Sequence, residues 1–174
     1  MLKRLFILSF IPFFVAAEPT QFKDVTSLMT EYNDYSPDIG AFKVLSNNPL
    51  KIQISPKIIA GESAESIRLA SYKASVYAAY RTLLQTPANK VEVTVLPLSF
   101  DLSTSEKSYL KDYKFSFSLT KAEALELTEK TSGIKSANQI IDKDGYEWTA
   151  AFESCCYRES GKPGLIYFVN EMTK

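Results

Sequence analysis

Three stretches of the chain alternate apolar and polar residues with the period of two that marks a half-buried strand. Leu50, Ile52 and Ile54 alternate with Lys51, Gln53 and Ser55, and Val91, Val93 and Val95 alternate with Glu92 and Thr94. Tyr113, Phe115, Phe117 and Leu119 alternate with Lys114, Ser116 and Ser118. A short strand is also read over 41–45, with Ser46-Asn47-Asn48-Pro49 as the turn that follows it. One face of each strand is polar, so helices are expected on only one side of an open sheet.

The strongest helical pattern covers 63–85, from a Ser63 start to a stop before Pro87. At 100° per residue, Leu69, Tyr72, Val76, Tyr77, Tyr80, Leu83 and Leu84 fall in one broad arc, with Lys73 inside it. Ser71, Ser75, Ala78, Ala79, Thr82, Arg68 and Arg81 occupy the opposite arc, which is expected to face outward. A second helix is predicted over 121–132, because Thr120 and Glu123 form a capping box and Gly133 suits the residue after its end. Trp148, Ala151, Phe152 and Cys155 repeat at helical spacing within 146–158. After Pro163, Leu165, Phe168, Val169 and Met172 do so again, although Ile166-Tyr167-Phe168-Val169 also suits a strand. Phe22, Val25, Leu28, Met29 and Tyr32 fit either a short docked helix or, within 18–40, a mobile N-terminal arm. The order of elements predicts an α+β fold: a mostly antiparallel open sheet covered on one face by a long central helix, with a helix-rich C-terminal third.

The first 17 residues have a different character. Lys3 and Arg4 precede an apolar run from Leu5 to Phe14, and Val15-Ala16-Ala17 supplies small residues before Glu18. That is the pattern of a cleaved secretory signal peptide, and its apolar run is too short to span a bilayer. The remaining chain, 18–174, is expected to form a single globular domain that is exported, with the periplasm as the expected compartment. Loss of Lys3 and Arg4 leaves 18 basic against 20 acidic residues, a net charge of −2. Such a balance gives no electrostatic reason to bind nucleic acid. No later run is apolar enough for stable membrane insertion.

Composition narrows the chemistry. The 174 residues include no histidine, which excludes Ser-His-Asp and Cys-His catalysis and a His-ligated metal. No metal or cofactor is expected. Ser132-Gly133-Ile134-Lys135 matches a Ser-x-x-Lys spacing, but its serine ends a helix where an acyl-enzyme serine opens one. Asp142-Lys143-Asp144-Gly145 reads as a turn, because a calcium loop aligned on Gly145 would begin at Ile140. Cys155 and Cys156 are redox or disulfide candidates in an oxidising compartment. On a regular helix their side chains diverge by about 100°. The preferred reading is therefore a buried Cys155 with Cys156 nearer the surface. Lys73 is a candidate buried functional lysine, although such lysines more often bury the stem and lift the ammonium to solvent.

Surface chemistry is more informative. The segment 100–114 links two strands and is long for a hairpin, so Tyr109 and Leu110 are candidate binding anchors. Tyr32 and Tyr35 lie outside the firm elements and join them, since tyrosine offers contact area together with a hydroxyl. The expected function is non-catalytic binding of a protein partner, as an accessory part of an envelope assembly or an inhibitor or immunity protein. The alternatives are a small hydrolase using carboxylates or Lys73, and a carrier of a small apolar ligand.

Overall fold

A computed structural model describes residues 18–174. The segment read as an export signal, 1–17, lies outside the described residues. The fold is α+β, with two mixed sheets and five helices among the described residues. The first sheet has the order β1 (Phe42–Asn47), β2 (Leu50–Ile54), β4 (Lys90–Val95) and β7 (Phe115–Thr120). The second has the order β3 (Lys57–Ile59), β5 (Leu98–Phe100) and β6 (Lys107–Tyr109). In the first sheet the outer pairings are antiparallel, and β2 and β4 run parallel. Parallel neighbours need a crossover, and α2 (Ala64–Gln85) provides it.

The strand alternation fixes which face is buried. Val44, Ile52, Val93 and Phe117 stand in one register row, on the side covered by α2. Lys43, Gln53, Thr94 and Ser116 form a row on the other side. There Lys51 pairs with Glu92 at 2.7 Å, and the Thr94 and Ser116 hydroxyls meet at 2.9 Å.

The two sheets share one pair of strands that proline interrupts. Ser55-Pro56 separates β2 from β3, and Leu96-Pro97 separates β4 from β5. Both prolines are buried. The parallel pairing continues across the break, since Leu96 N–H donates to Ile54 C=O and Leu98 N–H to Pro56 C=O, each at 3.0 Å. Proline has no N–H to give a ladder and a fixed φ, so two prolines side by side bend both strands at one level. The segment 100–114 is therefore not a free loop: it contains the end of β5, a six-residue turn, β6 and the 3₁₀ turn Lys111–Tyr113. Its exposed apolar residue is Leu102, at 76%.

Helix α2 is buried nearly all round, which corrects the expected outward arc: Ser71, Ser75, Ala78, Arg81 and Thr82 are all buried. The sheet covers one side, while α3 (Lys121–Ser132) and α5 (Leu165–Met172) cover others. Small side chains allow that close approach, and their hydroxyls turn back onto the helix, Ser71 to Ile67 C=O and Ser75 to Tyr72 C=O. Tyr80, fully buried between Phe152 and Phe168, donates its hydroxyl to Ala124 C=O at 2.9 Å. Burial pushes that phenol well above its usual range.

The N-terminal segment forms a short helix docked on the core. Asp24 caps α1 (Val25–Tyr32) by accepting from Ser27 N–H at 2.7 Å, and Leu28 and Met29 are fully buried. Helix α3 has the predicted bounds and both arms of its capping box, with Gly133 at φ +76° closing it. The expected helix over 146–158 shrinks to α4 (Ala150–Phe152), which widens into a π turn at Glu153–Tyr157. The last segment is helical, and the strand alternative is not adopted. No helix among the described residues is long and apolar enough to cross a membrane.

The Thr120 hydroxyl accepts from Glu123 N–H while the Glu123 carboxylate accepts from Thr120 N–H at 2.8 Å. Thr120→Ala is expected to cost about 1 kcal/mol in a urea unfolding titration, as loss of an N-cap does. Ser118→Ala on the exposed side of the same strand, unchanged in stability, is the control.

Candidate functional site

Three residues of α2 spaced by four, Tyr77, Arg81 and Gln85, form a stripe on one side of the helix. Above it three other pieces of chain converge. The first is the end of α1, where Asn33 at φ +54° reverses the chain and brings Asp34 and Tyr35 back toward α2. The second is the turn 142–148, and the third is Tyr157 at the end of the π turn. Together they line an open cleft of about 480 Å³.

The floor of the cleft is Arg81, only 3% exposed. Its guanidinium lies over the rings of Tyr32, Tyr77 and Trp148, at 4.8, 4.9 and 4.6 Å from their centres. Nη1 donates to Gly145 C=O at 2.6 Å and to Gln85 Oε1 at 3.1 Å, and Nη2 donates to Tyr146 C=O at 2.5 Å. A guanidinium has five N–H donors. Three are used, one remains on Nη2, and Nε–H has no partner. No carboxylate lies within ion-pair distance of it among the described residues. The buried charge is met by carbonyl dipoles and ring faces instead.

Gly145 C=O accepts three donors at once, from Arg81, from the Tyr32 hydroxyl at 2.8 Å and from Gln85 Nε2 at 3.1 Å. Such crowding needs a residue without a side chain. Gly145 has φ +86°, and a Cβ there would sit 2.8 Å from Gln85 Nε2 and 2.9 Å from both Tyr32 Oη and Thr20 Cβ. The expected turn at Asp142–Gly145 is present, closed by Gly145 N–H to Asp142 C=O at 3.1 Å.

Aromatic rings make the walls. Tyr35 stands against Tyr77, Tyr146 against Tyr32, and Tyr157 against Trp148, with centres 5.1, 5.2 and 5.4 Å apart. Asp34 and Glu147 are exposed carboxylates lining the same cleft, and Asp34 accepts the Tyr77 hydroxyl at 2.8 Å. Desolvation raises the phenol pKa of Tyr32, Tyr35, Tyr77 and Tyr157 above the usual value, and nearby Arg81 partly offsets it for Tyr32, Tyr77 and Tyr157.

Of the residues singled out by sequence, Tyr32 and Tyr35 enter this cleft. Tyr109 and Leu110 do not. Tyr109 is half-buried on β6, donates its hydroxyl to Gly40 C=O at 3.0 Å and carries Lys43 over its ring. Leu110 N–H donates to Pro97 C=O and extends the β5–β6 pairing, while Tyr109 ties β6 to Gly40. Lys73 is half-buried one turn before Tyr77 and is not part of the cleft; the buried cation of α2 is Arg81. Cys155 and Cys156 are bonded to each other, and Cys156 is fully buried with Cys155 at 8%. This corrects the expectation of a surface Cys156, which assumed α-helical geometry where the chain forms a π turn. Arg81, Trp148 and Tyr157 were not anticipated as site residues, although the four-residue spacing of Tyr77, Arg81 and Gln85 carried the signal. Family models, curated proteins and solved structures offer no match to this chain.

Gly145→Ala is expected to destabilise the protein by about 2 kcal/mol or more, through positive φ and loss of hydrogen bonds to one carbonyl. Thermal unfolding checks it, with Gly61→Ala, at φ +92° but with open space around the added methyl, separating backbone strain from crowding. The phenols add a pH dependence. A raised folded-state pKa means stability present below the unfolded value of about 10 and lost as pH rises through the folded value. Tyrosinate absorbance is therefore expected to show Tyr32, Tyr35, Tyr77, Tyr80 and Tyr157 ionising together with loss of the fold, above pH ~10.

Proposed function

We propose that this is an exported protein that acts by binding, without chemistry of its own, and that the cleft over Arg81 is its recognition element. The observation that carries the reading is a preorganised concave site: six aromatic side chains held around a fixed cation, with two carboxylates at the opening. Sites that bind small or extended ligands are built this way, from mostly aromatic walls with a few placed polar groups. The same arrangement argues against the hydrolase alternative. A carboxyl group that donates a proton near neutrality is normally desolvated, whereas Asp34 and Glu147 are exposed and Lys73 lies elsewhere. An apolar carrier is disfavoured because the floor is a guanidinium with unused donors.

The single tryptophan of the chain, Trp148, lines the cleft and reports on it directly. Titrating the purified protein with envelope extract of its own cells, divided by dialysis into small molecules and macromolecules, is expected to change Trp148 emission saturably with one fraction. Tyr146→Ala, which removes a 57% exposed ring from the cleft edge, is expected to weaken that response several-fold. Emission unchanged by either fraction overturns the reading.

A further inference from the structure

The charges around the cleft restrict what can enter it. Arg81 places a buried positive charge at the floor, and Asp34 and Glu147 place negative charges at the opening. A free anion attracted to the floor meets two carboxylates, and a free cation attracted to the carboxylates meets the guanidinium. Neither is favoured by the whole site. The polar groups also divide into donors and acceptors: Arg81 has one unused N–H on each of Nε and Nη2, while the carboxylates can only accept. A hydroxyl group does both, accepting from a guanidinium and donating to a carboxylate. A ligand rich in hydroxyls therefore bridges the two sets with no net charge of its own.

The walls ask for something further. Tyr35, Tyr146, Trp148 and Tyr157 present ring surface, which gains most from a flat apolar face laid against it. A pyranose ring carries such a face of C–H groups with hydroxyls around its edge. About 480 Å³ is room for more than one such ring. On these grounds, and resting on the reading of the cleft as a binding site, we infer that it binds a neutral saccharide of at least two rings. The sugar faces lie against the aromatic walls, and hydroxyls bridge Arg81 to Asp34 and Glu147. The Nε–H is buried, so a ligand reaches it through a small shift of the side chains at the cleft edge, of the kind common at binding sites.

The test is Trp148 emission of the purified protein titrated separately with five probes: cellobiose, maltose, N,N′-diacetylchitobiose, tetramethylammonium chloride and free glutamine. The expected result is a saturable change with at least one disaccharide, and none with tetramethylammonium or glutamine at equal concentration. Glu147→Gln and Asp34→Asn, which keep the shape of exposed side chains, are each expected to weaken disaccharide binding about tenfold, because an amide is a poorer acceptor than a carboxylate. Circular dichroism checks that both variants fold. Saturation by tetramethylammonium or by glutamine alone overturns the saccharide assignment and leaves the cleft a binding site of another class. No response to any of the five, with a response to envelope extract, overturns the saccharide assignment alone. Silence to both probes and extract overturns the binding reading as well. Release of monosaccharide from a bound disaccharide upholds the ligand class and overturns the non-catalytic reading.

Discussion

A guanidinium buried without a carboxylate beside it is the constraint around which this protein is organised. Removing a charge from water is costly unless dipoles and donors are arranged to meet it. Here the arrangement draws on distant parts of the chain: Tyr32 from α1, Tyr77 and Gln85 from α2, and the backbone of Gly145 and Tyr146 from a turn sixty residues further on. Gln85 extends the network to Thr20 C=O. The cation thus joins the start of the described chain, its central helix and its C-terminal third. The cleft forms at that junction, where Tyr35, Tyr146 and Tyr157 pack around the rings that hold Arg81.

The sheets supply the rigidity behind this. Helix α2 is held on one side by rows such as Val44, Ile52, Val93 and Phe117 and elsewhere by α3 and α5. It can therefore offer a stripe of polar residues without loss of position. Functional groups on a well-packed helix hold their geometry more closely than groups on loops. The cleft combines both kinds, with Tyr77 and Arg81 on the helix and Asp34, Tyr146 and Glu147 on connecting segments. The floor is fixed and the edge is adjustable.

Much of the fold was legible in the sequence because it follows from local rules. Alternation located β2, β4 and β7, and the capping box with Gly133 located α3 to the residue. The short strands β3, β5 and β6 were not legible, because three residues carry no period and their pairing depends on prolines far apart in sequence. The candidate site was half legible. Tyr32 and Tyr35 stood out as tyrosines outside the firmly predicted elements, which is a local property. Arg81 was read as an outward residue, because a helical wheel assumes that charge seeks solvent and has no means of representing two rings and two backbone carbonyls from elsewhere in the chain. Tyr109 and Leu110 lie apart from the cleft for the converse reason: a segment that looks like a free loop is pinned by pairing with β5 and by the Gly40 carbonyl.

The bond between Cys155 and Cys156 encloses no length of chain, because its partners are neighbours. A disulfide of that kind removes almost none of the unfolded chain's freedom, which is how cross-links between distant residues stabilise small exported proteins. Its influence is confined to one turn, the turn that carries Tyr157 to the cleft wall. The burden of holding this chain folded therefore rests on its packed interior. Closing or opening that bond bears instead on the shape of one wall of the cleft.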